Sequence, residues 1–280
     1  MMGGVTAIDS PANPRIRDAL ALRERRDRER TGLTLVDGAR AARRAIEAGV
    51  EVDTAFVCRE LLASQDARLA LAALGRGRGR REIVDVGRRA FERLAFGDRL
   101  EGLVLVIRQP ATDLAVLRLP ADPLVVVTED VEKPGNLGAI LRSADGAGAD
   151  ALVAVGGTDL FNPNVIRASL GTAFAVPLAA ASAGAVRDWA ADHNLRLIVA
   201  RVDAERLHVD ADLRGPLAIV VGSEAIGLSD AWQGDGIESV RLPMLGVADS
   251  LNVSVAAAIL LYEAWRQRRE PGDDEAEGGA

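Results

Sequence analysis

The chain has 280 residues, a formal net charge of -7, 49% hydrophobic residues and 27% charged residues. This length suggests about two domains of roughly 100–200 residues each, and the hydrophobic content excludes a mainly disordered protein. The single cysteine, Cys58, excludes a disulfide framework and a cysteine-based zinc site.

In the front half, the order of predicted helices and strands indicates an α/β domain, which we expect at residues 1–108. The predicted helices lie at 13–30, 39–48 and 61–74, and the predicted strands at 33–36, 54–57, 82–86 and 103–107. Residues 109–123, which contain three prolines, are expected to form a linker.

From residue 124 the pattern changes to continuous apolar strands that alternate with helices. The predicted strands lie at 124–128, 152–155, 195–200, 217–221 and 240–242, and the predicted helices near 137–148, 163–170, 183–193 and 251–268. Such alternation indicates a parallel α/β sheet whose ligand lies beyond the carboxyl ends of the strands. The tail at 270–280 is acidic and expected to be disordered.

Charge is divided unevenly along the chain. Residues 1–110 carry a net charge of +5, whereas residues 111–280 carry −12. Arginines cluster at residues 15–30 and 76–81. A solvated helix face and a nucleic-acid contact are equally good interpretations of the first cluster.

Several other classes of site and location are disfavoured. The chain has no P-loop, no G-x-S-x-G elbow and no dinucleotide loop, and His193 and His208 have no apparent partners for a triad or a metal centre. No segment resembles a signal peptide or approaches the roughly 18 apolar residues that span a bilayer. We therefore expect a cytoplasmic protein without a membrane or metal partner.

Two segments that follow strands remain as candidates for chemistry. In residues 129–149, Asn136 stands where a helix is expected to begin and Arg142 lies nearly two turns further on. In residues 219–229, Gly222 allows a ligand close to the backbone and Glu224 places a carboxylate at the mouth of the sheet. Each segment alone is explained equally well by a capped helix or an ordinary turn.

A third segment, residues 240–265, contains more polar groups than a helix cap requires. Ser250 or Asn252 could cap the helix that follows, and Ser254 adds a further hydroxyl. This concentration of small polar side chains before an apolar helix favours a binding site.

Together the three segments resemble the SpoU (TrmH-like) family of 2'-O-ribose RNA methyltransferases, in the SPOUT superfamily. The match is Pro-Gly-Asn-Leu-Gly-Ala-Ile-Leu-Arg at 134–142, Val-Gly-Ser-Glu-Ala-Ile-Gly-Leu at 221–228, and Leu-Pro-Met-x-Gly-x-x-x-Ser-Leu-Asn-Val-Ser-Val-Ala at 242–256. Residues 10–17 and 35–40 also resemble the family's ribosomal-protein-like substrate-binding domain, and are less specific.

The resemblance implies a catalytic domain at 124–269 with a parallel sheet and a trefoil knot, an exception to the usual avoidance of knots. It implies S-adenosylmethionine as the cofactor, held by the backbone at Gly222, Leu242 and Leu251, with Met244 and Asn252 close by. It also implies a homodimer with sites beside the interface, and RNA as the partner of the basic domain at 1–108.

The resemblance also assigns roles in the reaction. Arg142 matches the family arginine credited with activating the hydroxyl; because guanidinium rarely deprotonates, we expect it to orient a phosphate or stabilise the developing oxyanion. We expect Asn136 to orient Arg142 or the substrate. Glu224, Ser250 and Asn252 are expected to shape the pocket or to hold substrate and methionine groups.

Ribosomal RNA is the expected substrate and transfer RNA is the alternative, because the smallest family members acting on tRNA often lack the basic domain. Glu132 and Lys133 precede Pro134 where many members carry Asp before Pro, a departure that bears on target preference. Two other hypotheses are a catalytically silent RNA-binding or ribosome-assembly protein on the same fold, and a generic nucleotide-binding enzyme such as a dehydrogenase. The missing dinucleotide loop counts against the second of these.

Overall fold

The structure, a computed structural model, describes residues 7–76, 82–96, 100–223 and 227–269. The chain divides into two compact units. The first comprises the chain up to Ala111 together with Asp159–Ala175, and the second comprises Thr112–Thr158 and the chain from Val176 onward. No helix in the described ranges is long and apolar enough to cross a membrane.

The elements alternate as an α/β chain should. The strands are β1 (Leu33–Asp37), β2 (Val52–Val57), β3 (Glu82–Asp85), β4 (Leu103–Arg108), β5 (Leu124–Glu129), β6 (Ala151–Val155), β7 (Leu178–Ala181), β8 (Arg196–Ala200), β9 (Leu217–Gly222) and β10 (Ile237–Val240). The helices are α1 (Pro14–Ala21), α2 (Arg25–Thr31), α3 (Ala39–Glu47), α4 (Gln65–Arg76), α5 (Arg88–Leu94), α6 (Pro134–Gly146), α7 (Pro163–Ala168), α8 (Ala183–Asp192) and α9 (Val253–Arg268).

The first unit is built on a mixed sheet of four strands in the order β1-β4-β2-β3. β4 is antiparallel to both β1 and β2, and β3 is parallel to β2. Ile16 and Ala19 of α1 and Phe91 of α5 belong to one buried cluster with Leu35 and Phe56 of the sheet. Both helices therefore pack on the same face of this sheet.

The second unit is built on six parallel strands in the order β10-β8-β9-β5-β6-β7. All six residues of β5 are buried, as expected for a strand covered on both faces. α6 and α9 pack against each other beside this sheet. The observed sheet confirms the predicted parallel α/β fold, whereas the knot and the predicted domain boundaries stay predictions.

The predicted helix at 13–30 is wrong as one element, because the chain forms two helices with a break between them. Asn13 caps α1 through its side chain, and α1 ends before Leu22. The Arg28 guanidinium donates to the carbonyl oxygens of Leu22 and Arg23 at 2.8 and 2.7 Å. These carbonyls are left unpaired by the helix end, and the arginine of the next helix satisfies them.

Other boundaries shift for local reasons. The helix predicted at 61–74 is α4, which starts at Gln65 after the hydroxyl of Ser64 accepts from the Ala67 amide. The helix predicted near 137–148 is α6, which starts at Pro134 because proline is well suited to a first helical turn. Asn136 therefore lies inside the first turn and is not the cap, contrary to expectation. The strand predicted at 240–242 is β10, which ends at Val240.

Two elements had no prediction. α5 has seven residues, too short for a clear helical period, and β7 is Leu-Ala-Ala-Ala, whose alanines favour helix over strand. In the predicted linker, Leu117 is buried in the core of the parallel sheet. The acidic tail at 270–280 lies outside the described residues.

Candidate active site

A cavity of about 440 Å³ lies at the carboxyl ends of β8, β9 and β10. Five residues that the sequence assigns to the site line it, namely Gly222, Leu242, Met244, Ser250 and Leu251. They come from two segments that are about 20 residues apart in sequence, and parallel strands ending at one edge bring them together. The position matches the ligand site expected of a parallel α/β sheet.

Gly222 is where the wall of this cavity allows no side chain. A Cβ atom at Gly222 would lie 2.3 Å from the carbonyl oxygen of Gly227 and 2.8 Å from the amide nitrogen of Leu228. The Gly227 amide donates to the Ser223 carbonyl at 2.9 Å, so Gly227 lies against the end of β9. Any larger residue at Gly222 must displace Gly227 and Leu228.

The lining combines apolar walls with a few charges. Val221, Val240 and Ala256 contribute apolar surface, while Arg201, Asp203 and Asp249 contribute charge. The Nε atom of Arg201 donates to Asp203 at 3.2 Å. The sequence interpretation missed Arg201 and Asp203, although their place directly after β8, at the same sheet edge, is a signal that could have found them.

The sequence offered Ser250 or Asn252 as the cap of this helix, and the structure shows that Asn252 is the N-cap of α9. Its side-chain Nδ2 donates to the Oδ1 atom of Asn136 at 3.1 Å. The structure therefore joins two of the predicted site residues across the first turns of α6 and α9.

Arg142 is exposed on α6 and forms no hydrogen bond or ion pair within the described ranges. It follows Asn136 by six residues, which on an α-helix is about 9 Å along the axis and about 120° around it. The expected contact from Asn136 to Arg142 is not observed. The exposed guanidinium is positioned to meet a ligand from solvent.

Glu224 lies outside the described residues, so its predicted role stays a prediction. The structure does describe another carboxylate, at the end of β5. Glu129, at the end of β5, is 5% exposed and accepts from the Ser229 amide at 2.7 Å and from the Ser229 hydroxyl at 2.8 Å. It ties the segment after the β9 loop to the centre of the sheet.

The arginines of the first unit fall into two groups. Arg23 and Arg28 are structural, because Arg23 donates to the carbonyl oxygens of residues 93–95 and Arg28 is 2% exposed and paired with Asp159. The exposed arginines with neither a carboxylate nor a carbonyl partner in the described part of the unit are Arg17, Arg26, Arg89 and Arg93. Of the predicted cluster at 15–30, only Arg17 and Arg26 are thus both exposed and without such a partner in the described part of the unit.

Arg17 lies on α1, and Arg89 and Arg93 lie on α5. The two helices share a buried cluster, and the guanidinium of Arg23, just after α1, reaches the carbonyl oxygen of Arg93. Burial, and then the nearby charge of Arg93, lower the pKa of Arg23. This concentration of positive charge is what an anionic polymer requires.

No group of three His, Cys, Asp or Glu side chains among the described residues is placed to hold a metal ion. His193 is exposed, and its ring Nδ1 is 2.8 Å from the carbonyl oxygen of Trp189.

Comparison with known proteins finds a family model for each part of the chain. Residues 123–262 match the SpoU rRNA Methylase family, and residues 13–104 match the MRM3-like substrate binding domain. The 23S rRNA (uridine(2479)-2'-O)-methyltransferase of Streptomyces viridochromogenes is 34% identical over 257 residues, covering 88% of this chain and 87% of that protein.

Two solved structures extend the likeness over nearly the full length. One, an RNA 2'-O ribose methyltransferase, is 43% identical with a TM-score of 0.81, covering 94% of this chain and 99% of that one. The other, the SpoU methyltransferase AviRb of Streptomyces viridochromogenes in complex with the cofactor AdoMet, is 32% identical with a TM-score of 0.81 and covers 91% and 98% of the two chains.

Proposed function

The chain belongs to the SpoU rRNA methylase family, and from that premise we propose that it transfers the methyl group of S-adenosylmethionine to a ribose 2'-hydroxyl of ribosomal RNA. The observation that carries the proposal is the convergence of the predicted segments. Gly222, Leu242 and Leu251 line one cavity, and Asn252 beside them is bonded to Asn136.

The residues of the cavity fit S-adenosylmethionine. The volume of the cavity suits a nucleoside cofactor. Gly222 lets such a ligand approach the backbone closely. The cofactor carries a sulfonium, an ammonium and a carboxylate, so its net charge is positive. Arg201, Asp203 and Asp249 give the lining an opposite net charge. When bound, the cofactor supplies the electrophilic methyl group.

The chain's own residues supply positioning and charge. Arg142 binds a phosphate oxygen of the target nucleotide or stabilises the negative charge that develops on the 2'-oxygen, because its guanidinium is exposed and has no internal partner in the described ranges. Ser250 lines the cavity and holds groups of the cofactor or the substrate. Glu224 belongs to the same proposal through the motif at 221–228.

The first unit supplies the electrostatic attraction for RNA. Arg17, Arg26, Arg89 and Arg93 are exposed and lack carboxylate partners in the described part of the chain. Phosphate contacts of this kind are sequence-independent and position the RNA on the protein. A ribosomal RNA substrate accords with the expected cytoplasmic location.

A homodimer completes the proposal. α9 exposes apolar side chains at Val255, Ile259 and Tyr262, which follow a helical spacing and so share one face. The opposite face of α9 is buried in the unit. An exposed apolar stripe on a long helix beside the site supports pairing with a second copy.

Calorimetric titration with S-adenosylmethionine tests the cofactor assignment. We expect binding by the wild-type protein and at least a tenfold weaker affinity for Gly222→Ala, because the added Cβ displaces the loop at Gly227. Gly184→Ala, where a Cβ meets nothing within 4 Å, is the matched control and should bind normally. Absence of binding at millimolar cofactor would contradict the proposed function.

A further inference from the structure

The first unit contains a cavity of its own. It has a volume of about 480 Å³, within the roughly 300–1,000 Å³ range of small-ligand pockets. Its lining comes from α1, α2 and all four strands of the mixed sheet. The apolar part of the lining belongs to the buried core of the unit, namely Ala19, Leu22, Phe56 and Val106. A ligand in this cavity would therefore lie with one side against apolar core.

The charged part of the lining is acidic on balance, although residues 1–110 carry +5. It consists of four carboxylates and two arginines, namely Asp18, Asp27, Asp53, Glu82, Arg15 and Arg30. Both arginines are paired inside this set, Arg15 with Glu82 at 2.7 Å and Arg30 with Asp27 at 2.9 Å. The remaining two carboxylates give the cavity a surplus of negative charge, which repels a phosphate and favours a group that donates hydrogen bonds.

Asp18 is the acceptor that is still unused. The other unpaired carboxylate, Asp53, accepts from the hydroxyl of Thr54 at 2.8 Å. Asp18 is exposed and has no hydrogen bond or ion pair within the described ranges. Because a carboxylate has two oxygens, it can accept from two adjacent donors of one ligand.

The exposed arginines next to these residues favour a nucleotide as the ligand. Arg17 precedes Asp18 on α1, and Arg26 precedes Asp27 on α2. Both arginines are exposed and lack a carboxylate partner in the described part of the chain. A nucleotide carries a phosphate for such an arginine and a base for the cavity, whereas a basic protein segment would be repelled by the same arginines. RNA-binding proteins commonly hold unstacked bases and bind their Watson–Crick edges in this way.

We propose that this cavity binds an unpaired guanine base of the RNA, and that Asp18 accepts from the N1–H and 2-amino groups of its Watson–Crick edge. Guanine is the one common RNA base with two adjacent donors on that edge. Adenine, cytosine and uracil each place an acceptor beside their donor, and a carboxylate repels it. The inference rests on the proposed function and adds a residue that selects the RNA sequence from outside the cofactor cavity.

Fluorescence anisotropy with short unpaired RNAs tests the guanine site in the full-length protein. The RNAs are uridine heptamers whose central nucleotide is guanosine, inosine, adenosine or uridine. We expect wild type to bind the guanosine heptamer at least about fivefold more tightly than the adenosine and uridine heptamers, because a two-donor contact of this kind discriminates between bases by roughly 5-fold to 100-fold. Inosine lacks the 2-amino group, so its heptamer should bind more weakly than the guanosine heptamer.

Asp18→Asn separates base recognition from plain charge by the sign of its effect. Removing a negative charge alone would strengthen binding to any RNA. Loss of the two-oxygen acceptor should instead weaken binding of the guanosine heptamer at least about fivefold, with the uridine heptamer bound as tightly as before or more tightly. Glu24→Gln is the matched control, because Glu24 is exposed between α1 and α2 and does not line the cavity. It should keep the guanosine preference of wild type.

Ala21→Leu tests the cavity without changing any charge. Ala21 lines the cavity and is half-buried, so a larger side chain occupies part of the space that the base requires. This variant should lose the guanosine preference and bind the uridine heptamer like wild type. Equal affinity of the variant for the uridine heptamer also shows that the exposed arginines are still in place.

Tighter binding of the guanosine heptamer by Asp18→Asn, or a wild-type protein without base preference, overturns the guanine site. Binding of N-acetylarginine amide to a wild type without base preference, and weaker binding to Asp18→Asn, would assign the cavity to a basic protein segment. Each of these results leaves the proposed function intact. A wild-type protein that binds no S-adenosylmethionine contradicts the proposed function itself.

Discussion

Asp37 shows how one buried group can govern stability in the first unit. It lies at the end of β1, is 5% exposed, and accepts from the Phe96 amide at 2.8 Å. Burial raises the pKa of Asp37 from 3.8 to about 6, against the opposing effects of the Phe96 hydrogen bond and the charge of Arg167. The folded protein therefore holds a proton that the unfolded chain releases, and stability is lost as pH rises through this interval.

Asp37→Asn should remove this pH dependence while keeping an acceptor for Phe96. At pH 8 we expect the variant to be more stable than wild type by up to about 3 kcal/mol, and at pH 4 nearly equal. Urea unfolding at the two pH values measures the difference. Asp18→Asn removes an exposed charge on α1 as a control. A stability difference that is the same at both pH values would contradict the burial argument.

Arg26 and Arg28 are neighbours on α2 with opposite roles. Arg28 is buried and bonded to two carbonyl oxygens and Asp159, whereas Arg26 is exposed and has no carboxylate partner within the described ranges. One turn of the helix thus supplies both an ion pair to Asp159 and an exposed positive charge. The side-chain environment decides between these roles, and composition alone does not.

Arg28→Ala should cost about 3–5 kcal/mol of unfolding free energy, because it leaves Asp159 and two carbonyl oxygens unpaired. Arg26→Ala should leave stability unchanged and weaken RNA binding, lowering the slope of log affinity against log salt by about one. Thermal unfolding and binding titrations at several salt concentrations test the pair. Equal effects of the two substitutions on RNA binding would contradict the proposed contact at Arg26 and indicate that α2 is an ordinary solvated helix.

Elements with strong patterns could be predicted and weak ones could not. β5 and β9 are continuous apolar runs, which are typical of a strand covered on both faces, and the predicted bounds agree with the structure within one residue. β7 has three alanines and gave no strand signal. The break between α1 and α2 depends on Arg28, whose partners are distant carbonyls that no local pattern reveals.

The candidate site, like the fold, could be predicted from the sequence only where the sequence has a strong pattern. Gly222, Leu242 and Leu251 could be assigned because three motifs occur in family order, and the sheet edge then brings them to one cavity. The bond between Asn136 and Asn252 joins helices more than 100 residues apart, and no spacing in the sequence predicts it. Arg201 and Asp203 lie outside the motifs, so only the position of β8 places them at the cavity.

The basic residues and the cavity lie in different parts of the chain. Residues 1–110 carry +5 and present exposed arginines, while residues 111–280 carry −12 and contain the cavity. A net charge of -7 for the chain thus conceals a basic surface suited to RNA. The exposed apolar stripe on α9 is the surface on which we propose that a second copy pairs.

Ile259→Asp should disrupt the proposed homodimer, because it places a charge in the middle of the exposed stripe of α9. Light scattering coupled to gel filtration should give twice the mass of one chain for wild type and one chain mass for the variant. Val209→Asp, an exposed apolar position outside α9, is the control and should stay dimeric. A wild-type protein that elutes as a monomer contradicts the proposal.

Mapping of 2'-O-methyl groups tests the central claim, that this protein methylates a ribose 2'-hydroxyl of ribosomal RNA. Ribosomal and transfer RNA are compared from cells that express wild-type protein, Arg142→Ala or no protein. We expect one ribosomal site that appears with wild type and is absent in the other two, while purified Arg142→Ala still binds S-adenosylmethionine. An unchanged ribosomal map, or a new methyl group only in transfer RNA, would contradict the account.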